Sequence, residues 1–322
     1  MLYSQTLLSY WRTVLRQAGL LKKASVLSLN SERVKTMFVP RKVLEEKLKQ
    51  LLAEDIGQGD VTSAAVVPAG LTVEAAVVAK EAGVAAGIEE VEILAESLGL
   101  SAKAEVADGE NIGNGQVIMK ISGDARTILS AERTMLNLLS RMSGIATATR
   151  RLGEKLRKAK ATAKVAATRK TALGLGYFDK KAVLIGGGEP HRMRLDDMIL
   201  IKDNHVVIAG SVENAVKRAK QAASFSKKIE AEVTSVADAL KAAEAGADVV
   251  MLDNFSPKQV REAVEALKKA GFFGKVLLEV SGGITEQNLL EYASAQVNVI
   301  SMGALTHSVK ALDITLEIVK VK

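Results

Sequence analysis

The chain has 322 residues, 48% hydrophobic and 25% charged, with 44 Lys+Arg against 37 Asp+Glu for a net +7. That is an ordinary globular composition, long enough for two domains with buried cores. It contains no cysteine, which excludes disulfides, thiolate catalysis and cysteine zinc sites and predicts a reducing, cytoplasmic location. No apolar run reaches the roughly 18 residues of a spanning helix, so a soluble protein is expected, and 3% aromatics argue against base-stacking platforms.

The charge is unevenly spread. Eight basic residues and a single acid, Glu32, fall in residues 1–42, which accounts for the whole excess and leaves 36 of each sign in the rest. The neutral body therefore predicts neither nucleic-acid nor membrane binding. Residues 1–36 are expected to be a basic amino-terminal extension upstream of a start at Met37. A transit-type presequence or a membrane-surface helix is the alternative reading of their weak amphipathic run from Leu7 to Leu21.

From Met37 the pattern becomes regular. Residues 43–53 carry apolar positions at helical spacing, and Glu54-Asp55-Ile56-Gly57-Gln58-Gly59-Asp60-Val61-Thr62 breaks that helix with turn chemistry. Residues 71–79 and 102–106 read as strands, 89–98 as a helix, and Asp108-Gly109 and Asn114-Gly115 as turns beside short strands. Residues 125–150 are helical throughout. Thereafter apolar strands at 163–167, 198–201, 229–233, 249–252, 276–280 and 297–300 alternate with helices at 211–223, 235–245, 257–270 and 285–294. Such alternation predicts βαβ units and a parallel sheet. With no GxGxxG after a strand, a closed or nearly closed, TIM-like β/α barrel is preferred to a dinucleotide-binding sheet. The predicted organisation is a smaller amino-terminal α/β domain with antiparallel strands (37–145), a barrel (146–303) and a carboxyl-terminal helix (304–322) packing back on the first domain.

Barrel chemistry sits where strands run into loops at their carboxyl ends. That rule selects Thr168-Arg169-Lys170, Lys202-Asp203-Asn204-His205, Glu232, Asp253-Asn254, Ser281-Gly282-Gly283 and Gly303-Ala304. The loop Gly186-Gly187-Gly188-Glu189-Pro190-His191-Arg192 lies between the first two strands. Arg169 and Arg192 suit bidentate grips on carboxylate or phosphate, and Lys170 and Lys202 are point charges. Glycine turns after the last strands suit phosphate. Glu232 and Asp253 suit magnesium beside substrate phosphates, or a cationic transition state. Any one of these residues has an ordinary structural use; Glu230 lies two residues from Glu232, leaving one of the two free to face solvent. Three scattered histidines without an i,i+4 pair argue against a histidine metal site. The convergence on one face carries the reading: a phosphorylated sugar and an acidic co-substrate.

These residues fall in motifs that resemble one family, the quinolinate phosphoribosyltransferases, decarboxylating enzymes of NAD biosynthesis. The motifs, in order, are EDIGQGDVT (54–62), AERTMLNLLSRMSGIAT (131–147), ATRKT (167–171), GGGEPHR (186–192), LIKDNH (200–205), EAEV (230–233), MLDN (251–254), EVSGGI (279–284) and SMGALTHS (301–308). The resemblance spans about residues 38–318. It implies an open α/β (TIM-like) barrel behind a small amino-terminal α/β domain, phosphoribosyl transfer from phosphoribosyl pyrophosphate to quinolinate with loss of CO2, a Mg2+ requirement, and a homodimer or higher oligomer with active sites shared between subunits. It further implies that Arg133 reaches its partner's site and that Arg169, His191 and Arg192 hold the two carboxylates of quinolinate. Thr168 would line the same site, and Lys170 and Lys202 would contact both substrates. Glu232 and Asp253 would face the ribose and its Mg2+, directly or through the pyrophosphate, and Ser281, Gly282, Gly283 and Gly303 the 5-phosphate. Lys170, Lys202, Glu232 and Asp253 are the implied catalytic groups. The family pattern TRKTTPGLR is TRKTALGLG here, with Leu173 for proline and Gly176 for arginine. A paralogue associated with molybdenum transport shares TRK and HR but lacks the IKDNH form. Further alternatives are a Schiff-base barrel aldolase using Lys202 and a binder of nucleic acid or membrane through the basic amino terminus.

Overall fold

The structure, a computed structural model, describes residues 39–322; the predicted extension over 1–36 lies outside the described residues. Helix α1 (Arg41–Ile56) buries Leu44, Leu48 and Leu52, a stripe at four-residue spacing, and stops at Gly57. A second short helix, α2 (Val61–Val66), starts where the Asp60 carboxylate accepts the Ser63 N–H at 2.9 Å. The EDIGQGDVT turn is thus a helix stop followed at once by an N-cap.

Strand β1 (Thr72–Ala79) and the two-residue β2 (Gly83–Val84) precede helix α3 (Ile88–Ser97). Strands β3 (Ser101–Ala104), β4 (Asn111–Ile112) and β5 (Val117–Asp124) follow. Helix α4 (Ala125–Lys158) then runs 34 residues, eight beyond the predicted end at Arg150. Near its middle Gly144 lets another segment cross: a Cβ there would stand 2.2 Å from the Lys310 carbonyl oxygen.

Beyond α4 the chain reads β6 (Lys164–Ala166), α5 (Gly176–Ile185), β7 (Ile199–Ile201), α6 (Asp203–Ala209), α7 (Val212–Ala222), β8 (Ile229–Val233), α8 (Val236–Ala245) and β9 (Val249–Asp253). It continues with α9 (Pro257–Lys269), β10 (Leu277–Ser281), α10 (Leu289–Ala293), β11 (Val299–Ser301), α11 (Ala304–His307) and β12 (Ile314–Val321). Six of these strands form a parallel sheet in the order β6-β11-β10-β9-β8-β7. It curls like a barrel but β6 and β7 do not pair, so it stays open; Glu189 bridges to Ala166 at the β6 edge. One apolar cluster fills the antiparallel region around α1, α3 and α4, and a second lies between the parallel strands and α7 to α10.

The carboxyl-terminal helix expected over 304–322 is replaced by a four-residue helix and a strand. β12 pairs antiparallel with β1, giving a four-stranded sheet β12-β1-β5-β3. The residues explain it: ITLEIVKV is rich in β-branched side chains with apolar positions at 314, 316 and 318, a period of two rather than 3.6. No helix among the described residues is long and apolar enough to cross a membrane.

Candidate active site

Side chains on a strand point to alternate faces, so residues two apart share one. Along the parallel sheet the inward set is Leu200 and Lys202 at β7, Glu230 and Glu232 on β8, Met251 and Asp253 on β9, Glu279 and Ser281 on β10, and Ser301 on β11. All but Glu230 line a cleft of about 490 Å³ at the carboxyl ends of the strands, with Thr168, Arg169 and Lys170 beyond β6 and Asn254, Gly282 and Gly283 closing it. His191 and Arg192 enter from the loop before β7. Eleven of the thirteen residues singled out from the sequence therefore meet in one cleft.

The other two do not line it. Arg133 projects exposed from α4. Gly303 lies behind Lys170, where a Cβ would be 3.2 Å from the lysine Cδ and 2.9 Å from the His307 ring. The reading that Glu230 or Glu232 is free to face solvent fails for a simple reason: an i,i+2 pair on a strand shares a face. Both point inward, at different depths, Glu230 fully buried and Glu232 at the mouth.

At the mouth, Lys202 Nζ donates to Glu232 at 2.9 Å, and Asn254 Nδ2 donates to Asp253 at 2.7 Å. Lys202 also caps α6, its backbone N–H donating to His205 Nδ1 at 2.9 Å. The Lys170 N–H donates to Thr168 Oγ1 at 3.1 Å, and its carbonyl accepts from Thr306 Oγ1 at 2.8 Å, so the TRK segment is tied at both ends. At Gly282 (φ +91°) a Cβ would meet Asn254 Oδ1 at 2.2 Å; only glycine lets the Ser281-Gly282-Gly283 turn pass the β9 loop.

Deeper, His191 Nε2 lies 3.3 Å from Glu230 and 3.4 Å from Glu279, both nearly inaccessible. Burial alone would lower the histidine pKa, but pairing with the two acids outweighs it and pushes His191 up to about 9. The Arg192 N–H donates to His191 Nδ1 at 2.8 Å, a contact that opposes a second ring proton, so the acids and the amide pull in opposite directions. Burial raises the Glu230 pKa, against the pull of His191. Neither Glu230 oxygen nor Glu279 Oε1 has a hydrogen-bond partner among the described residues, and Arg192 Nε likewise lacks an acceptor. An unpartnered guanidinium donor beside Arg169 is suited to an incoming carboxylate.

Helix α5 was not foreseen. It buries three consecutive charges: Asp179 accepts from the Ala172 N–H just past Lys170, Lys180 donates to the carbonyls on either side of His191, and Lys181 pairs with Glu89 and Glu90. The run Tyr177-Phe178-Asp179-Lys180-Lys181 reads as a solvated helix face, and its glycine-rich approach hides the helix start. Glu279 sits inside a recognised motif, but its depth shows only once the sheet is assembled. Leu173 is fully exposed and Gly176 opens α5, so neither departure from the family pattern touches the cleft.

An open parallel β/α barrel whose strand ends gather five cations, two accessible acids and a glycine turn defines a binder of carboxylate and phosphate groups. Residues 60–143 match the family described as quinolinate phosphoribosyl transferase, N-terminal domain, and residues 145–317 its C-terminal domain. The chain belongs to the quinolinate phosphoribosyltransferase family. It is 46% identical over 271 residues to the probable nicotinate-nucleotide pyrophosphorylase [carboxylating] of Methanothermobacter thermautotrophicus, covering 84% of this chain and 97% of that one. The human nicotinate-nucleotide pyrophosphorylase [carboxylating] is 41% identical over 245 residues, 76% of this chain and 82% of its own. The solved nicotinate-nucleotide pyrophosphorylase of Francisella tularensis superposes with a TM-score of 0.79 at 34% identity, covering 91% of this chain and all of that one.

Proposed function

We propose that the chain transfers a phosphoribosyl group from phosphoribosyl pyrophosphate to the nitrogen of quinolinate, releasing CO2 and pyrophosphate and leaving nicotinate mononucleotide. One observation carries this: Arg169, Lys170, His191, Arg192 and Lys202 share a single cleft with Glu232, Asp253 and the Ser281-Gly282-Gly283 turn. A dianionic acceptor and a phosphosugar need that charge pattern together.

In this reading Arg169, His191 and Arg192 fix the two carboxylates and so aim the ring nitrogen at the anomeric carbon, a gain of orientation. Lys170 and Lys202 lie between the two substrates, Thr168 borders them, and the Ser281-Gly282-Gly283 turn receives the 5-phosphate, with Gly303 leaving room behind Lys170. As the bond to pyrophosphate breaks, positive charge grows on the ribose, and Glu232 and Asp253 oppose it. The nitrogen becomes quaternary on attack and draws off the electrons of the departing 2-carboxylate, after which the ring carbon takes a proton. Magnesium suits the rim: Glu232 and Asp253 offer hard oxygen ligands, and this ion commonly takes one or two carboxylates with substrate phosphates and water. Those two acids would hold it, and bound there it would neutralise the leaving pyrophosphate.

The exposed Arg133 on α4 completes the site of a second copy, which makes the working unit a homodimer. With no cysteine to pair, the cytoplasm is the location this reading assigns. The test is purified chain with quinolinate, phosphoribosyl pyrophosphate and Mg2+, following CO2 and nicotinate mononucleotide, with nicotinic acid in parallel. Both products should form from quinolinate only; equal turnover of nicotinic acid would overturn the assignment of the acceptor.

A further inference from the structure

The geometry points to Lys180 as a positioning residue for the dicarboxylate acceptor: it clamps the backbone on both sides of His191 and sets a buried cation behind Arg169 and Arg192. The inference rests on the proposed function and adds to it a residue that touches neither substrate.

Lys180 is 1% exposed. Its ammonium donates to the Pro190 carbonyl and, at 2.7 Å, to the Arg192 carbonyl. Those two carbonyls bracket His191, whose φ of +54° lies in the left-handed region. A non-glycine residue stays there only where its surroundings over-determine it. Here the lysine grips the chain one residue before and one residue after, and it is the buried side chain that ties together both flanks of the turn that aims His191 at Glu230 and Glu279 and presents Arg192 to the cleft; Asp197 and the Met198 carbonyl hold only the far side.

The neighbours on α5 sharpen the contrast. Asp179 makes a bidentate pair with Arg141 at 2.7 and 2.9 Å, and Lys181 pairs with Glu89 and, at 2.6 Å, with Glu90. Lys180 has no carboxylate within ion-pairing distance among the described residues. Burial dominates its titration, Asp197 pulls the other way, and Arg169 and Arg192 add to the burial effect, so Lys180 is pushed down to about 8. A buried ammonium satisfied only by carbonyls, beside two guanidinium groups, is costly in the empty site. A dianion seated between Arg169 and Arg192 supplies the missing negative charge. The clamp thus serves the acceptor and leaves the phosphosugar side alone, because no contact of Lys180 reaches Glu232, Asp253 or the Ser281-Gly282-Gly283 turn.

Lys180→Met keeps the stem and removes the donors and the charge; steady-state kinetics with each substrate varied in turn reads the effect. The KM for quinolinate should rise about tenfold or more, the usual cost of removing a residue that orients a binding group, while the KM for phosphoribosyl pyrophosphate stays within about twofold. An unchanged quinolinate KM, or equal rises for both substrates, overturns the inference. Lys180→Gln retains one N–H donor and should give a smaller rise in the same direction; it decides by the same ratio if Lys180→Met does not fold. A wild-type chain that makes no nicotinate mononucleotide overturns the functional reading and this inference with it. An active wild-type chain with unaltered variants overturns this inference alone.

Discussion

The floor and the rim of the cleft use the same residue types in opposite ways. Glu230 and Glu232 are two residues apart on β8 and face the same direction. Glu230 is inaccessible, without a hydrogen-bond partner, and faces a histidine it helps to charge. Glu232 borders the cleft and is paired with a half-exposed lysine that can let go of it. Lysines divide likewise: Lys180 is sealed beneath the loop it holds, while Lys202 stands at the mouth with about half its side chain exposed. Groups on the floor act by being fixed. Groups at the rim act by exchanging a protein partner for a substrate.

That contrast can be broken. Glu232→Ala should lower kcat by about 10²–10³, the cost of removing one preorganised electrostatic group. The Glu232 side chain is largely covered but borders the cleft and pairs only with a half-exposed lysine, so its loss should cost stability no more than about 1 kcal/mol; a larger drop in Tm would make Glu232 part of the framework instead. Next in size is a recovery. Arg133→Ala and Asp253→Ala proteins, each inactive, should regain part of the activity when mixed and allowed to exchange subunits, because one hybrid site has both residues. No recovery in a verified heterodimer would end the shared-site reading.

A smaller effect belongs to the floor and to pH. His191 has a folded pKa of about 9 against an ordinary 6.5, so its pairing stabilises the fold fully below pH 6.5 and is lost as pH rises through about 9. The raised pKa of Glu230 acts in the same sense, since a proton held more tightly in the folded state favours folding at lower pH. Denaturation midpoints should therefore fall between pH 6.5 and about 8, above which the lowered pKa of Lys180 acts in the opposite sense, and Glu279→Gln should flatten that fall; an unchanged slope would remove the charged pair from the floor. The smallest effect is at the family departure: Leu173→Ser should leave the quinolinate KM within about twofold, because the leucine is fully exposed and outside the cleft.

The rim was legible in the sequence and the floor was not. The parallel strands are largely apolar runs that give way to polar residues at or near their carboxyl ends, so Lys202, Glu232, Asp253 and Ser281 can be assigned there before any fold is known. Depth is different: it depends on how strands stack around the barrel, and nothing local distinguishes Glu279 from an acid at an edge. Lys180 was hidden twice, by a helix starting in a glycine-rich loop and by a residue type that is almost never fully buried. The strand at the carboxyl end was readable, since ITLEIVKV alternates; an expectation of a closing helix outweighed the period of two.

That last strand has a consequence for synthesis. β1 is flanked by β5, made some forty residues later, and by β12, which leaves the ribosome roughly 240 residues later. At about 5–20 residues per second the nascent antiparallel sheet waits on the order of 12–48 s with one long edge bare. The first region made is thus among the last completed, and a message truncated by a dozen codons would yield a chain whose barrel residues are all present but whose first sheet lacks its outer strand.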